Sequence, residues 1–138
     1  MTYLFDKSAL ARVGQSDEVD EAFEAMALKG RLATCAIVDL EIGFSARSLM
    51  EFDSVAADRR ALYQELAITP AITRRAHAVQ RELVRRGKHR GPGASDLLIA
   101  ACAEAHGAVV IHYDKDFDTI AAVTKQKVAW LVRPGSVA

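Results

Sequence analysis

Only two cysteines and three prolines occur in 138 residues, and neither sign of charge is in excess. So few thiols exclude a disulfide-stapled fold. Cys35 and Cys102 stand alone in ATCAIV and IAACAEA, with no CxxC pair and no histidine at ligand spacing. They read as two buried free thiols and not as a zinc or redox site. Scarce proline excludes a Pro-rich linker. With 18 Lys+Arg against 18 Asp+Glu, the chain does not hold nucleic acid by being basic throughout. Long apolar runs are missing too: the longest, Leu97 to Ile111, is broken by Glu104 and His106 and is too short for a bilayer. The opening MTYLFD has no basic n-region and meets Asp6 before an h-region can build, so no secretory leader is expected. A cytoplasmic chain without a membrane segment is the expectation.

Apolar content is ample, at 51% hydrophobic residues with a mean hydropathy of +0.05. That excludes disorder, and residues 1–138 suit one domain that folds without a structural metal. Tyr3–Phe5 reads as a short buried strand ending at Asp6, and Ser8 can start a short helix. Asp17–Leu28 is an amphipathic helix with acids in its first turns and Gly30 beyond its end. Leu32–Cys35 is a second strand, followed by a packed helix over Ile37–Phe44. Helical periodicity covers Phe52–Leu66, and Ile72–Arg86 is a basic helix stopped by Gly87. Gly87–Ala94, with three glycines and a proline, is a flexible loop. Ser95 reads as the cap of an apolar helix Asp96–His106 that Gly107 ends. Ala108–His112 is a strand, Phe117–Val123 a short helix, and Val128–Val132 a last strand. Strands interleaved with helices predict an α/β fold with a central parallel sheet covered on both faces. Such sheets bind ligands at the carboxyl ends of their strands.

Carboxylates gather at those ends. Asp6 closes the first strand, Asp114 and Asp116 follow the strand Ala108–His112, Asp96 opens a helix after the flexible loop, and Glu41 interrupts an apolar segment. Taken singly, each has an ordinary reading. Asp6 serves as a turn former, Asp96 as an acid on the helix dipole, Asp114 and Asp116 as an Asx-rich turn, and Glu41 as a partner for Arg47. Converging, they repel: two charges ~4 Å apart cost about 4 kcal/mol at an effective dielectric of 20. Such a cluster either takes up protons or binds a cation, and all-oxygen donors suit a hard ion such as Mg²⁺ or Mn²⁺.

The segments YLFDKSAL, VDLEIGFSAR and ASDLLIAACAEAHGAVVIHYDKDFDTIA together resemble the PIN-domain family, and within it the VapC toxins of type II toxin–antitoxin systems. The resemblance runs the length of the chain. It implies a three-layer α/β/α domain and a metal-dependent endoribonuclease that cuts cellular RNA, tRNA or rRNA, to stop translation and growth. It also implies a VapB-type antitoxin as partner and a homodimer, or a heteromer with that antitoxin. Carried over by position, Asp6, Glu41, Asp96 and Asp114 match the family's acidic quartet and Asp116 a frequent fifth acid. Asp6, Asp96 and Asp114 are then the expected ligands of Mg²⁺, with Mn²⁺ as substitute, and Glu41 and Asp116 act directly or through coordinated water. Ser8 matches a small hydroxyl residue beside the metal. The chain departs from the pattern at Lys7, where relatives often have Thr, and at His112, where they often have Thr or Ser.

Charge is unevenly spread. Residues 1–73 carry 7 basic and 12 acidic side chains, residues 74–138 carry 11 and 6. Seven Arg and Lys lie between Arg74 and Arg90 with Glu82 as the one acid. Arg85, Arg86, Lys88 and Arg90 are therefore the candidate contacts to an RNA backbone, a solvated helix face being the other reading. The apolar residues of the Asp17–Leu28 and Glu51–Leu66 helices are candidates for the antitoxin groove and equally for the core. A phospho-receiver would need an acceptor Asp where Ala67–Pro70 has none, and a haloacid-dehalogenase-type phosphatase would need Asp where Ser8 stands. A non-catalytic α/β module and a DNA-cutting metal nuclease stay open.

Overall fold

The computed structural model describes residues 1–138. Alternation governs the two central strands. In β1 (Thr2–Phe5), Leu4 points to one face and Phe5 to the other. The strand Val109–His112 does the same with Val110 and Ile111. Both faces are apolar, which suits a sheet covered on each side. With β2 at Arg31–Thr34, β3 at Gln64–Glu65, β4 at Val109–His112 and β5 at Val128–Trp130, five parallel strands run in the order β3-β2-β1-β4-β5. Leu4 pairs with Ala33 on one side and Val110 on the other.

On the Phe5 face lie α1 (Lys7–Leu10) and α2 (Asp17–Lys29). There Val19 is buried and Phe23 packs on Phe5 with ring centroids 5.2 Å apart. On the Leu4 face lie α3 (Ala36–Phe44), α5 (Pro70–Arg85), α6 (Ala94–His106) and α7 (Asp116–Thr124), contributing Val38, Leu83, Ile99 and Phe117 to the larger core. Between α3 and α5 in sequence, α4 (Leu49–Leu62) packs on α3 and buries no residue of its own. The result is a three-layer α/β/α domain. Both thiols are buried and free, with Cys102 Sγ directed at the Leu66 carbonyl, 3.7 Å away. No helix is long and apolar enough to cross a membrane.

Three elements differ from the sequence-based expectations. The helix bearing Asp96 is capped by Gly93 and not by Ser95. It starts at Ala94 because the Asp96 carboxylate reaches back to accept the Gly93 N–H at 3.1 Å, so Asp96 sits at the third helical position. Its far end is as expected, with Gly107 left-handed at φ 67°. The Phe52–Leu66 segment is not one helix. Ser48 Oγ caps α4 on the Glu51 N–H at 3.1 Å, and the chain turns extended at Tyr63 so that Gln64 and Glu65 pair with β2. Ladder pairing overrides the helical period there. Finally, α3 is only half packed: Val38 is buried, while Leu40 is 71% and Phe44 89% exposed.

Candidate metal centre

Backbone constraints place the acids before their charges are considered. Asp6 continues the β1 ladder by donating its N–H to the Ile111 carbonyl at 2.9 Å, then caps α1 by accepting the Ser8 N–H at 3.0 Å. Ser8 passes the constraint on, its Oγ accepting the Tyr113 N–H at 2.9 Å. This ties α1 to the turn after β4. Within that turn the Asp114 N–H donates to His112 Nδ1 at 3.1 Å, and the Asp116 N–H donates to Asp114 Oδ1 at 2.9 Å. From the opposite side α6 brings Asp96, held by Gly93.

Carboxylate oxygens of Asp96, Asp114 and Asp116 consequently lie within 4.8 Å of one another. Asp6 is buried, 6% exposed, and stands outside this tight group, yet its charge acts on both Asp96 and Glu41. Asp6 at the end of β1 and the turn after β4 both lie at the carboxyl ends of the parallel strands, where such sheets bind ligands. Glu41, on α3, brings Oε1 into a buried position without a hydrogen-bond partner. Of the five expected acids, the three whose oxygens lie closest together are Asp96, Asp114 and Asp116.

The electrostatics reflect the crowding. Burial pushes the Asp96 carboxyl up to about 6; the Gly93 N–H opposes this, and the charges of Asp6, Asp114 and Asp116 add to it. Burial, then Asp114, raises Asp116. Burial, then Asp6, raises Glu41, against the pull of Lys7. Three carboxylates whose oxygens converge form a donor set that fits a hard divalent cation. Soft thiolate ligands are absent from it, since both cysteines lie in the core.

The basic segment divides on inspection. Arg85 and Arg86 both engage Glu82, Arg85 through Nε at 2.9 Å and a second short contact, Arg86 through Nε at 2.9 Å. Together they hold the Glu82 carboxyl down to about 2. Lys88 and Arg90 are exposed in the turn beyond α5, and that turn touches the acids. A Cβ on Gly91 would stand 3.1 Å from Asp116 Oδ1.

Two features escaped the sequence reading. Lys7 Nζ donates to the Glu41 carbonyl at 3.1 Å and also reaches Ser45 Oγ, bridging 34 and 38 positions in sequence. Lys7 and Glu41 line a cavity of about 400 Å³ beside the acids with Ile37, Leu40, Phe44 and Ser95. A larger groove of about 990 Å³ opens between α3 and α4, lined by Phe44, Phe52 and Val55 among others. No local spacing signals either the lysine bridge or the groove. The α2 segment does not contribute to this groove, because Val19 and Phe23 belong to the core.

A parallel α/β/α sandwich with acids collected at the switch between β1 and β4 defines a class of protein, and residues 3–123 match the PIN domain family. The chain belongs to that family, in its VapC branch. It is 42% identical over 134 residues to Ribonuclease VapC21 of Mycobacterium tuberculosis (strain CDC 1551 / Oshkosh), covering 97% of this chain and 96% of that one. Ribonuclease VapC51 of strain ATCC 25618 / H37Rv is also 42% identical, over 137 residues, with coverage of 99% and 98%. Among solved structures, VapBC2 from Rickettsia felis, bound to a promoter DNA fragment, superposes with a TM-score of 0.77 at 18% identity, covering 94% of this chain and 98% of that one. VapBC-1 from nontypeable Haemophilus influenzae gives 0.77 at 17% identity, with coverage of 95% and 98%. At such identities the likeness is one of fold.

Proposed function

We propose that this chain is a divalent-metal-dependent endoribonuclease and the toxin half of a VapBC-type pair acting in the cytoplasm. The observation that carries the reading is the convergence of Asp96, Asp114 and Asp116 within 4.8 Å. It occurs in a chain 42% identical, over nearly its whole length, to proteins named ribonucleases. Asp96, Asp114 and Asp116 would hold Mg²⁺, or Mn²⁺ in its place, with Asp6 and Glu41 around them. The chemistry that such an ion supplies when bound is a nucleophile from water near neutral pH and relief of charge on the phosphodiester.

The chain's own residues prepare the rest. Glu41 Oε1, buried and unpartnered, is an acceptor waiting for a water proton or an ion. Lys88 and Arg90, unencumbered beside Gly91 and Asp116, draw the RNA backbone toward the acids. Arg85 and Arg86 contribute less, since Glu82 occupies both. We place the antitoxin segment in the α3–α4 groove, where Leu40 and Phe44 are each more than two-thirds exposed.

The test is incubation of purified protein with total cellular RNA, and in parallel with single-stranded DNA, in Mg²⁺, Mn²⁺ or excess EDTA, with cut sites mapped by sequencing. RNA cleavage with either ion, lost in EDTA and lost in Asp96→Asn, is expected. Cleavage that survives thorough chelation, or an undiminished rate in Asp96→Asn, contradicts the proposal. Cleavage confined to DNA would reassign the substrate.

A further inference from the structure

His112 is fully buried, yet its ring is polar on two sides, and the acids of the site leave its role open. It lies at the end of β4, between Phe117 and Trp130, with ring centroids at 5.2 and 5.0 Å. Nδ1 accepts the Asp114 N–H at 3.1 Å. A nitrogen that accepts cannot carry the proton, so this geometry requires the neutral ring protonated at Nε2. Nε2 faces Asp118 Oδ1 at 3.6 Å, too long for a hydrogen bond but close enough for the carboxylate to favour a proton on that nitrogen. Asp118 is itself held: its Oδ2 accepts the Trp130 indole N–H at 2.9 Å. Nε2 has no hydrogen-bond partner of its own, so the hydrogen bond that fixes the ring is the one from the Asp114 N–H to Nδ1.

We infer that His112 is a positioning residue for the acidic centre, fixing through its Nδ1 lone pair the turn that sets Asp114 and Asp116 against Asp96. The inference rests on the reading of those acids as a cation site. Asp114 is gripped at both ends, its N–H by His112 and its Oδ1 by the Asp116 N–H. Losing the first grip frees the turn to rotate the carboxylate away from its neighbours. It also leaves the Asp114 N–H in need of another acceptor. Partners one step removed from a metal commonly change its affinity 10- to 100-fold when removed. Here the partner grips a ligand's backbone, so the loss is expected at the lower end, about 10-fold in Mn²⁺ affinity.

Two variants of similar size separate the acceptor from the packing. His112→Asn places an oxygen near the position of Nδ1; His112→Leu fills the same space without an acceptor. Mn²⁺ alone, titrated by calorimetry into wild type and both variants, is expected to bind about 10-fold more weakly to the Leu variant and close to wild type in the Asn variant. Long-range ¹⁵N–¹H spectra of the metal-free wild type are expected to show His112 protonated at Nε2, and this measurement needs no variant to fold. A ring protonated at Nδ1, a folded Leu variant that binds Mn²⁺ like wild type, or an Asn variant as weak as Leu overturns the inference. Wild type that binds no Mn²⁺ overturns the cation site itself and this inference with it. The two failures are told apart by the wild-type isotherm.

Discussion

Asp96 concentrates the cost of assembling the centre in one side chain. Its carboxyl titrates near 6 in the folded chain against 3.8 for an unperturbed aspartate. Between those values the folded state binds more protons than the unfolded one. Stability of the metal-free protein therefore falls as pH rises through that window and stays lower above it. Asp96→Asn removes the charge and keeps an oxygen for the Gly93 N–H. In EDTA the variant is expected to be more stable than wild type at pH 7 by about 1–2 kcal/mol, after discounting for solvent screening of a half-exposed group. Near pH 4 the two are expected to melt together. Thermal melts at both pH values check this; a variant less stable at pH 7 contradicts it. The candidate acids themselves were legible in the sequence, because each borders or interrupts an apolar run. Their grouping was not. That Asp116 joins Asp96 and Asp114 depends on a turn closed by the Asp116 N–H, and that His112 supplies an acceptor depends on which ring nitrogen faces inward.

Among the helices, α4 is the one with no buried residue, and Phe52 rests its ring against Gly43 of α3 while one side chain adds a polar tie. Arg59 is the tie. Its Nε donates to Asp39 Oδ1 at 2.9 Å and its Nη2 to Thr34 Oγ1 at 2.8 Å, and its guanidinium lies 4.5 Å from the centre of the Tyr63 ring. The side chain is only 12% exposed, so the contact is sheltered from screening. Arg59→Met keeps the apolar stem and removes the hydrogen bonds. It is expected to cost about 1–3 kcal/mol and to speed amide exchange across Leu49–Leu62 before the sheet is affected. Unchanged exchange there would show that α4 is held by something else. The helix itself was readable from its period, but its limits were not. Ser48 sets the start through a cap, and the chain turns extended at Tyr63 to pair Gln64 and Glu65 at the sheet edge, which ends the helix early. The exposed side of α3 could not be read from composition either, since Leu40 and Phe44 look like core residues until no layer covers them.

For the molecule as a whole, zero net charge conceals a division that the fold exploits. The acidic half supplies Asp6 and Glu41; the basic half supplies Lys88 and Arg90 on the turn that abuts Asp116 through Gly91. Replacing Lys88 and Arg90 by Glu is expected to weaken RNA binding and to flatten the dependence of log affinity on log salt by roughly one unit for each phosphate no longer neutralised. Arg85→Ala is expected to change both far less, because Glu82 already engages Arg85. Filter binding over a range of salt concentrations distinguishes the cases; an equal effect from Arg85→Ala would contradict the division. The layered α/β architecture was legible because short apolar strands alternate with helices. Pairings such as Lys7 with the Glu41 carbonyl were not, since they join positions 34 residues apart that only the sheet order brings together.

If Asp96, Asp114 and Asp116 cage a divalent ion, crystals grown with Mn²⁺ will show it by anomalous scattering. A peak bonded to oxygens of these three aspartates is expected; no peak there at saturating Mn²⁺, or a peak only at some other group of residues, refutes the cage.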